Sequence, residues 1–203
     1  MKRPRGSCVL AFAPHSGWAA VVAIGGTPGK PLVLARERLE LADETLPGAR
    51  QPYHVIEPLP LARASARLAV FRESAAALAT SGVGTLVATA RAAGIEPIAA
   101  GILDSSGRDP GALEAILASH ALIHTADGNH FREALANACA ALKLPCARVR
   151  QRDLPAEAAR ALRRTSRELT ATVARLGRAA GSPWGADQKS AALLACLLLA
   201  RGV

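Results

Sequence analysis

The sequence predicts an α/β protein in which a mixed sheet carries helices on its faces. Short apolar runs bounded by turn residues open the chain, and longer stretches with helical periodicity then alternate with further short apolar runs. Half of the residues are hydrophobic but only 3% are aromatic, so Ala, Leu and Val must build the core. We therefore expect a three-stranded antiparallel meander, followed by alternating helices and strands in one layered domain.

The meander is predicted from the turns between its strands. Residues 14–17 and 25–30 are rich in Gly, Pro and Ser or Thr, which favour turns. The segment that follows them alternates apolar and charged residues, as a half-exposed strand does. Residues 43–60 are rich in proline and polar side chains, which predicts an irregular loop. The three predicted strands are 8–13, 18–24 and 32–41.

The rest of the chain alternates helix and strand. Gly82 and Gly84 indicate a kink or break in the first helix. Asp127 and Gly128 indicate an interruption of the second helix, where Asp127 either caps the new helix or lines a cleft. The predicted helices are 61–91, 112–144, 155–180 and 186–200, and the predicted strands between them are 95–103 and 146–149.

Length, charge and cysteine usage limit the class of protein. The 203 residues suit a single domain, 1–203, with a basic leader at 1–6. No apolar run reaches the roughly 18 residues of a membrane span, which predicts a protein without a membrane segment. The scattered cysteines form no CxxC pair and predict a reduced, cytoplasmic protein. A net charge of +9 and a pI near 10.4 suit a polyanionic partner. The cysteines are Cys8, Cys139, Cys146 and Cys196.

Two segments resemble a known family. One is the strand–turn–strand VLAFAPHSGWAAVVAI at residues 9–24, and the other is GADQK at residues 185–189, just before an apolar helix. Together with the order of elements, they resemble the ribonuclease H-like fold, and within it the RuvC-type Holliday-junction resolvases. The resemblance implies that, if the protein is an enzyme, it is a metal-dependent nuclease, a hydrolase acting on nucleic acid.

The resemblance also implies a site. Such nucleases hold two divalent metals, here Mg²⁺, between carboxylates on strand one, strand four and the last helix. By resemblance Asp104 and Asp187 become metal ligands and catalytic residues, and Lys189 joins the catalytic set. Ala13 stands where the strand-one aspartate is expected, and His15 is a substitute ligand, although imidazole suits Mg²⁺ less well than a carboxylate. The alternative roles are structural: a turn for His15, a strand end for Asp104 and a helix N-terminus for Asp187.

A second candidate metal site consists of histidines. His120, His124 and His130 have the histidine spacing of metzincin zinc proteases. However, Ala121 replaces the catalytic Glu, and Met1 is the only methionine, so a protease is excluded. A Zn²⁺ site at these three histidines is left as an alternative to three separate surface or packing groups.

The basic charge is concentrated between residues 148 and 178, where nine arginines face only three acidic residues. On a single helix over 155–180, an apolar stripe that includes Leu162 and Leu169 would be buried, leaving arginines on the opposite side. Guanidinium groups suit phosphate, so this side is predicted to contact a nucleic-acid backbone, the alternative being a solvated helix face. The predicted contacts are Arg160, Arg164, Arg167, Arg175 and Arg178.

These observations favour a nucleic-acid-binding protein of resolvase-like fold with lost or weak nuclease activity. The first alternative is an active Mg²⁺-dependent endonuclease that uses Asp104 and Asp187. The second alternative is a protein with a zinc site at the histidines. Whether the chain forms a homodimer is left open.

Overall fold

The structure, a computed structural model, describes residues 6–105 and 109–202. Most of the basic leader, residues 1–5, therefore lies outside the described residues. Within the described ranges no helix is long and apolar enough to cross a membrane. The strands are β1 (Gly6–His15), β2 (Trp18–Thr27), β3 (Lys30–Glu40), β4 (Ile95–Asp104) and β5 (Cys146–Arg150). The helices are α1 (Pro52–Ile56), α2 (Leu61–Ala92), α3 (Leu113–Leu117), α4 (His120–Ala141), α5 (Leu154–Leu162), α6 (Ser166–Ala180) and α7 (Ala186–Arg201).

The strands form one mixed sheet in the order β3-β2-β1-β4-β5. The first three strands pair antiparallel, which confirms the predicted meander. β4 lies parallel to β1, and β5 lies parallel to β4. Helix α2 makes the crossover from the meander to β4, as expected for a parallel connection.

Each face of the sheet is covered by a different set of helices. Phe12 of β1 and Ile102 of β4 belong to one core, with Phe71 of α2 and Phe131 of α4. The second core lies on the opposite face, under α5, α6 and α7. Side chains alternate along a strand, so neighbouring residues of β1 and β4 belong to different cores.

Helix α7 packs directly on the centre of the sheet. A Cβ added to Gly101 of β4 would lie 2.7 Å from Cδ1 of Leu198 and 2.9 Å from Cδ2 of Leu194. The missing side chain at Gly101 thus lets the helix approach the strand closely. This packing positions the first turn of α7 at the edge of the sheet where β1 and β4 end.

The predicted break in the first helix is wrong. α2 is continuous through Gly82 and Gly84. A Cβ at Gly82 would lie 2.0 Å from Cδ1 of Leu39, so the glycine allows the helix to cross close to β3. Close packing, rather than a turn, accounts for this glycine.

Two further predictions between residues 43 and 141 are wrong. The segment 43–60 is not wholly irregular, because it contains the short helix α1, whose Tyr53 and Ile56 are buried. α4 runs without interruption through Asp127 and Gly128, so Asp127 does not cap a new helix there. Asp127 instead contacts α1, as described below.

The single helix predicted over 155–180 is also wrong. Arg163 adopts a left-handed conformation (φ 51°) that ends α5, and α6 begins after it. Thr165 and Glu168 form a capping box: the Glu168 amide donates to Thr165 Oγ1 at 3.3 Å, and the Thr165 amide donates to Glu168 Oε2 at 2.8 Å. The second helix therefore starts with its own cap and packs separately on α7.

Candidate functional site

The candidate site lies at the sheet edge where the parallel strands end. β1 ends at His15, β4 at Asp104 and β5 at Arg150. Their carboxyl ends lie side by side because the strands are parallel. The first turn of α7, which includes Asp187, reaches the same edge. Ligands of open α/β sheets commonly bind at such an edge.

The structure brings His15 and Asp187 together. His15 Nε2 lies 2.9 Å from Asp187 Oδ1. The His15 ring also stacks on Trp18, with ring centroids 4.4 Å apart and an angle of 9° between the planes. The guanidinium carbon of Arg38 lies 4.0 Å from the centroid of the Trp18 ring. In this partly exposed group the Asp187 carboxylate lies beside an imidazole, whereas the Glu40 carboxylate is paired with Arg38 Nε at 2.5 Å.

Below this pair the sheet is apolar. Phe12 pairs with Ile102, and the next residues along β1 and β4 are Ala13 and Leu103. Both belong to the α7-facing core and are at most 4% exposed. No carboxylate therefore lies at either strand position that faces Asp187.

Asp104 lies on the other face of the sheet. Its Oδ2 accepts a hydrogen bond from Arg148 Nε at 3.0 Å, and its Oδ1 lies 3.7 Å from Arg132 Nε. The Ser105 amide donates to the same Oδ1 at 2.9 Å. Asp104 is only 7% exposed, so two guanidinium groups neutralise a nearly buried carboxylate.

The three residues predicted to share a metal are not a group in this structure. Among the described residues, His15, Asp104 and Asp187 do not bring their ligand atoms within 4.8 Å of one another. Lys189 is exposed and lines a cavity between α6 and α7 with Ser166. Lys189 also lies only two residues from Asp187, a spacing that does not place side chains on one helix face. The donor set at Asp187 therefore does not fit a pair of Mg²⁺ ions, which need several anionic oxygens.

Histidines form a separate cluster, with a different third member from the one expected. The ligand atoms of His54, His120 and His124 lie within 4.8 Å of one another. His130 is not among them because it follows His124 by six residues, about 240° around the helix axis. His54 comes from α1, in the segment predicted to be a loop, and no spacing pattern in the sequence pointed to it.

Asp127 links this cluster to the protein interior. Its Oδ1 accepts a hydrogen bond from the Tyr53 amide at 2.7 Å, in the first turn of α1. Its Oδ2 lies 2.5 Å from His54 Nδ1. Burial raises the pKa of Asp127 above its ordinary value, although these two hydrogen bonds act in the opposite direction. Asp127 therefore caps α1 from a neighbouring helix and orients one histidine.

A polar cavity of about 660 Å³ is lined by Asp104 of β4, Arg72 of α2 and Tyr53 of α1, among other residues. His130 lines it, is 7% exposed, and has no partner among the described residues for its Nε2. Burial lowers the pKa of His130 to about 4, and Arg72 acts in the same direction. The imidazole is therefore neutral at pH 7. Arg72 also donates a hydrogen bond to the Tyr53 hydroxyl at 2.9 Å.

The arginine surface differs from the predicted one because α5 and α6 are separate helices. Arg164 is half-buried and donates hydrogen bonds to Thr172 Oγ1 at 2.9 Å and to the Gly29 carbonyl at 3.4 Å. The remaining predicted arginines are exposed, and the described residues include no ion-pair partner for them. We call these four the arginine face: Arg160, Arg167, Arg175 and Arg178.

The architecture is similar to that of solved RuvC structures. None of the family models matches the chain, and none of the curated proteins matches it either. A Thermus thermophilus RuvC in complex with a Holliday junction substrate is similar in structure, with a TM-score of 0.55 and 12% identity over 97% of this chain and 94% of that one. A second Thermus thermophilus RuvC structure has a TM-score of 0.52 and 12% identity, over 96% of this chain and 95% of that one. The chain therefore has a ribonuclease H-like fold of the RuvC type.

Proposed function

We propose that this protein binds nucleic acid through its phosphate backbone and has lost, or nearly lost, the hydrolytic activity of RuvC-like nucleases. The observation that carries the proposal is the pair Ala13 and Leu103, two buried apolar residues below Asp187. Phosphodiester hydrolysis by two metals depends on anionic oxygens that hold the metal ions, and Ala13 and Leu103 offer none. The partly exposed Asp187 carboxylate, paired with His15, does not supply them by itself.

The first alternative, an active Mg²⁺ nuclease that uses Asp104 and Asp187, has less support. The Asp104 carboxylate is held by Arg148 and lies near Arg132, so a divalent cation would have to displace guanidinium groups already in place. Asp187 is engaged with His15 on the opposite face of the sheet. We therefore assign Asp104 a structural role in an ion-pair network.

Binding is supported by charge and by fold. The chain carries a net charge of +9, and the arginine face presents four exposed cations on α5 and α6. Arginine side chains bind phosphate oxygens through two parallel hydrogen bonds. The similar RuvC structure was obtained with a Holliday junction substrate, so a branched DNA is the first ligand to test.

Fluorescence anisotropy with labelled duplex and four-way junction DNA tests the proposal. Binding should weaken steeply with salt, because each neutralised phosphate releases counterions. If the whole arginine face contacts phosphates, the log–log salt slope for duplex DNA should approach about −4. The absence of binding at low salt to either DNA would contradict the proposal.

A further inference from the structure

We infer that His54, His120 and His124 form a binding site for one Zn²⁺ ion. The three imidazoles come from two helices, α1 and α4, and their ligand atoms lie within 4.8 Å of one another. Among the described residues this is the only group of three or more His, Cys, Asp or Glu side chains with that property. The inference concerns a site apart from the sheet edge and does not depend on whether the chain binds DNA.

The spacing of the nitrogens suits a tetrahedral ion. Zinc–nitrogen bonds are about 2.0–2.1 Å long, so two nitrogens of a tetrahedral site lie about 3.3 Å apart. His120 Nε2 and His124 Nε2 are 3.1 Å apart, one helical turn from each other on α4. The ring centroids of His54 and His124 are 4.6 Å apart, which brings the third imidazole alongside. Both α4 histidines are exposed, so their side chains can adjust around an ion.

The contact between His54 and Asp127 is the arrangement that orients a metal-binding histidine. Because Asp127 Oδ2 lies 2.5 Å from His54 Nδ1, this nitrogen donates to the carboxylate and leaves Nε2 as the metal-binding atom. The Asp127 carboxylate is 5% exposed and also holds the Tyr53 amide, so its position is fixed. Such a partner fixes the tautomer of the ring and increases its basicity as a ligand.

The three imidazole ligands determine which class of metal the site prefers and leave one coordination position open. Neutral imidazoles suit Zn²⁺ and related transition metals, whereas Mg²⁺ and Ca²⁺ prefer oxygen ligands. Three histidines leave a fourth tetrahedral position for water or another small ligand, as in open zinc sites. The ion would also fasten α1 to α4, since the two helices supply its ligands.

The site projects from the same end of the molecule as the sheet edge. Arg132 of α4 donates to the Leu103 carbonyl at the carboxyl end of β4. His124 precedes Arg132 by eight residues, or about 12 Å along the helix. Because α4 leads to the start of β5, its first turns extend beyond the carboxyl ends of the strands. A bound ion would therefore be accessible from solvent beyond the sheet edge, on the face of the sheet opposite the arginine face.

Zinc binding to the untagged chain tests the inference. The protein is stripped with a chelator and titrated with Zn²⁺ against a chromophoric competitor, and the metal content is measured by mass spectrometry. We expect one Zn²⁺ per chain, no competition from millimolar Mg²⁺, and intense visible absorption bands of a tetrahedral ion when Co²⁺ replaces Zn²⁺. Substoichiometric binding, or Co²⁺ spectra of a hydrated ion, would overturn the inference and leave only a hydrogen-bonded group of histidines.

Single variants separate this site from nonspecific binding. His120→Ala and His124→Ala change exposed side chains, and each removes a metal ligand. Each should therefore weaken Zn²⁺ affinity by more than about 100-fold, a larger loss than removal of a residue that only orients a ligand typically causes. Asp127→Asn should weaken it by about 10–100-fold, provided that circular dichroism shows an intact fold. His15→Ala, which removes an exposed histidine next to a carboxylate elsewhere, is the control and should retain full affinity. Equal losses in His15→Ala and His124→Ala, or no loss in any variant, would contradict the site.

Discussion

His15 Nε2 lies 2.9 Å from Asp187 Oδ1, so a single contact joins the end of β1 to the first turn of α7. This contact occupies the place where the resemblance to resolvases predicts a set of carboxylates and metal ions. Ala13 and Leu103 form the buried apolar surface below it. The sheet edge at which the resemblance predicts metal ligands thus carries a different set of side chains.

The two candidate carboxylates should differ sharply in their contribution to stability. Asp104→Asn leaves Arg132 without its carboxylate neighbour and leaves Arg148 paired with Glu133 alone. It should lower the free energy of unfolding by about 2–3 kcal/mol, less than the loss at a fully buried pair because Arg148 is partly exposed. Asp187→Asn breaks the partly exposed pair with His15 and should change the free energy of unfolding by less than about 1 kcal/mol. Urea denaturation of both variants measures the difference. A stabilising Asp104→Asn would instead indicate a carboxylate held in place for function at the expense of stability.

His130 should make the protein sensitive to acid. Its pKa is about 4 in the folded chain against an ordinary value of 6.5, so between these values the unfolded chain binds a proton that the folded chain does not. Stability should therefore fall as the pH decreases from about 6.5 to 4, by about 3 kcal/mol from this group. The difference in unfolding free energy between the wild type and His130→Gln, followed across this range, isolates the effect. A difference that does not change with pH would show that His130 is protonated equally in both states.

The arginine face should contribute more to the salt dependence of DNA binding than the arginines of α2 do. Arg167 and Arg178 are eleven residues apart on α6, which places them on one side of the helix. Replacing both by Gln should reduce the magnitude of the log–log salt slope for duplex DNA by about 2. The control is the double variant Arg63→Gln/Arg67→Gln, which removes the same charge from α2 on the opposite face of the sheet and leaves the Arg91–Glu96 ion pair intact. Similar losses in both variants would indicate that only net charge matters.

Much of the fold follows from local sequence patterns, because turn residues and apolar runs act over short distances. The meander and β4 are found where those patterns predict them. The capping box at Thr165 and Glu168 is also a local sequence signal for a helix start. The apolar stripe that continues across it favours one long helix, so no helix start is predicted there. Gly82 was misread because its role depends on Leu39, 43 residues away in the chain.

The histidine cluster and the contacts of Asp104 were less predictable, because they depend on residues that are distant in sequence. His54 and Asp127 are far apart in sequence, and only the packing of α1 on α4 brings them together. Likewise, Asp104 ends the expected strand, but the alternation of side chains turns it toward Arg148 and away from Asp187. A sequence pattern identifies where the strand ends, whereas the face of the sheet on which the last side chain lies depends on the strand register.

Binding and cleavage measured in one sample test the central claim most directly. Labelled four-way junction DNA is incubated with the protein at low salt and millimolar Mg²⁺, and complex formation and strand cleavage are followed together. We expect a salt-sensitive complex in which the DNA strands stay intact. Cleavage that requires Mg²⁺ and disappears in Asp187→Asn would contradict it.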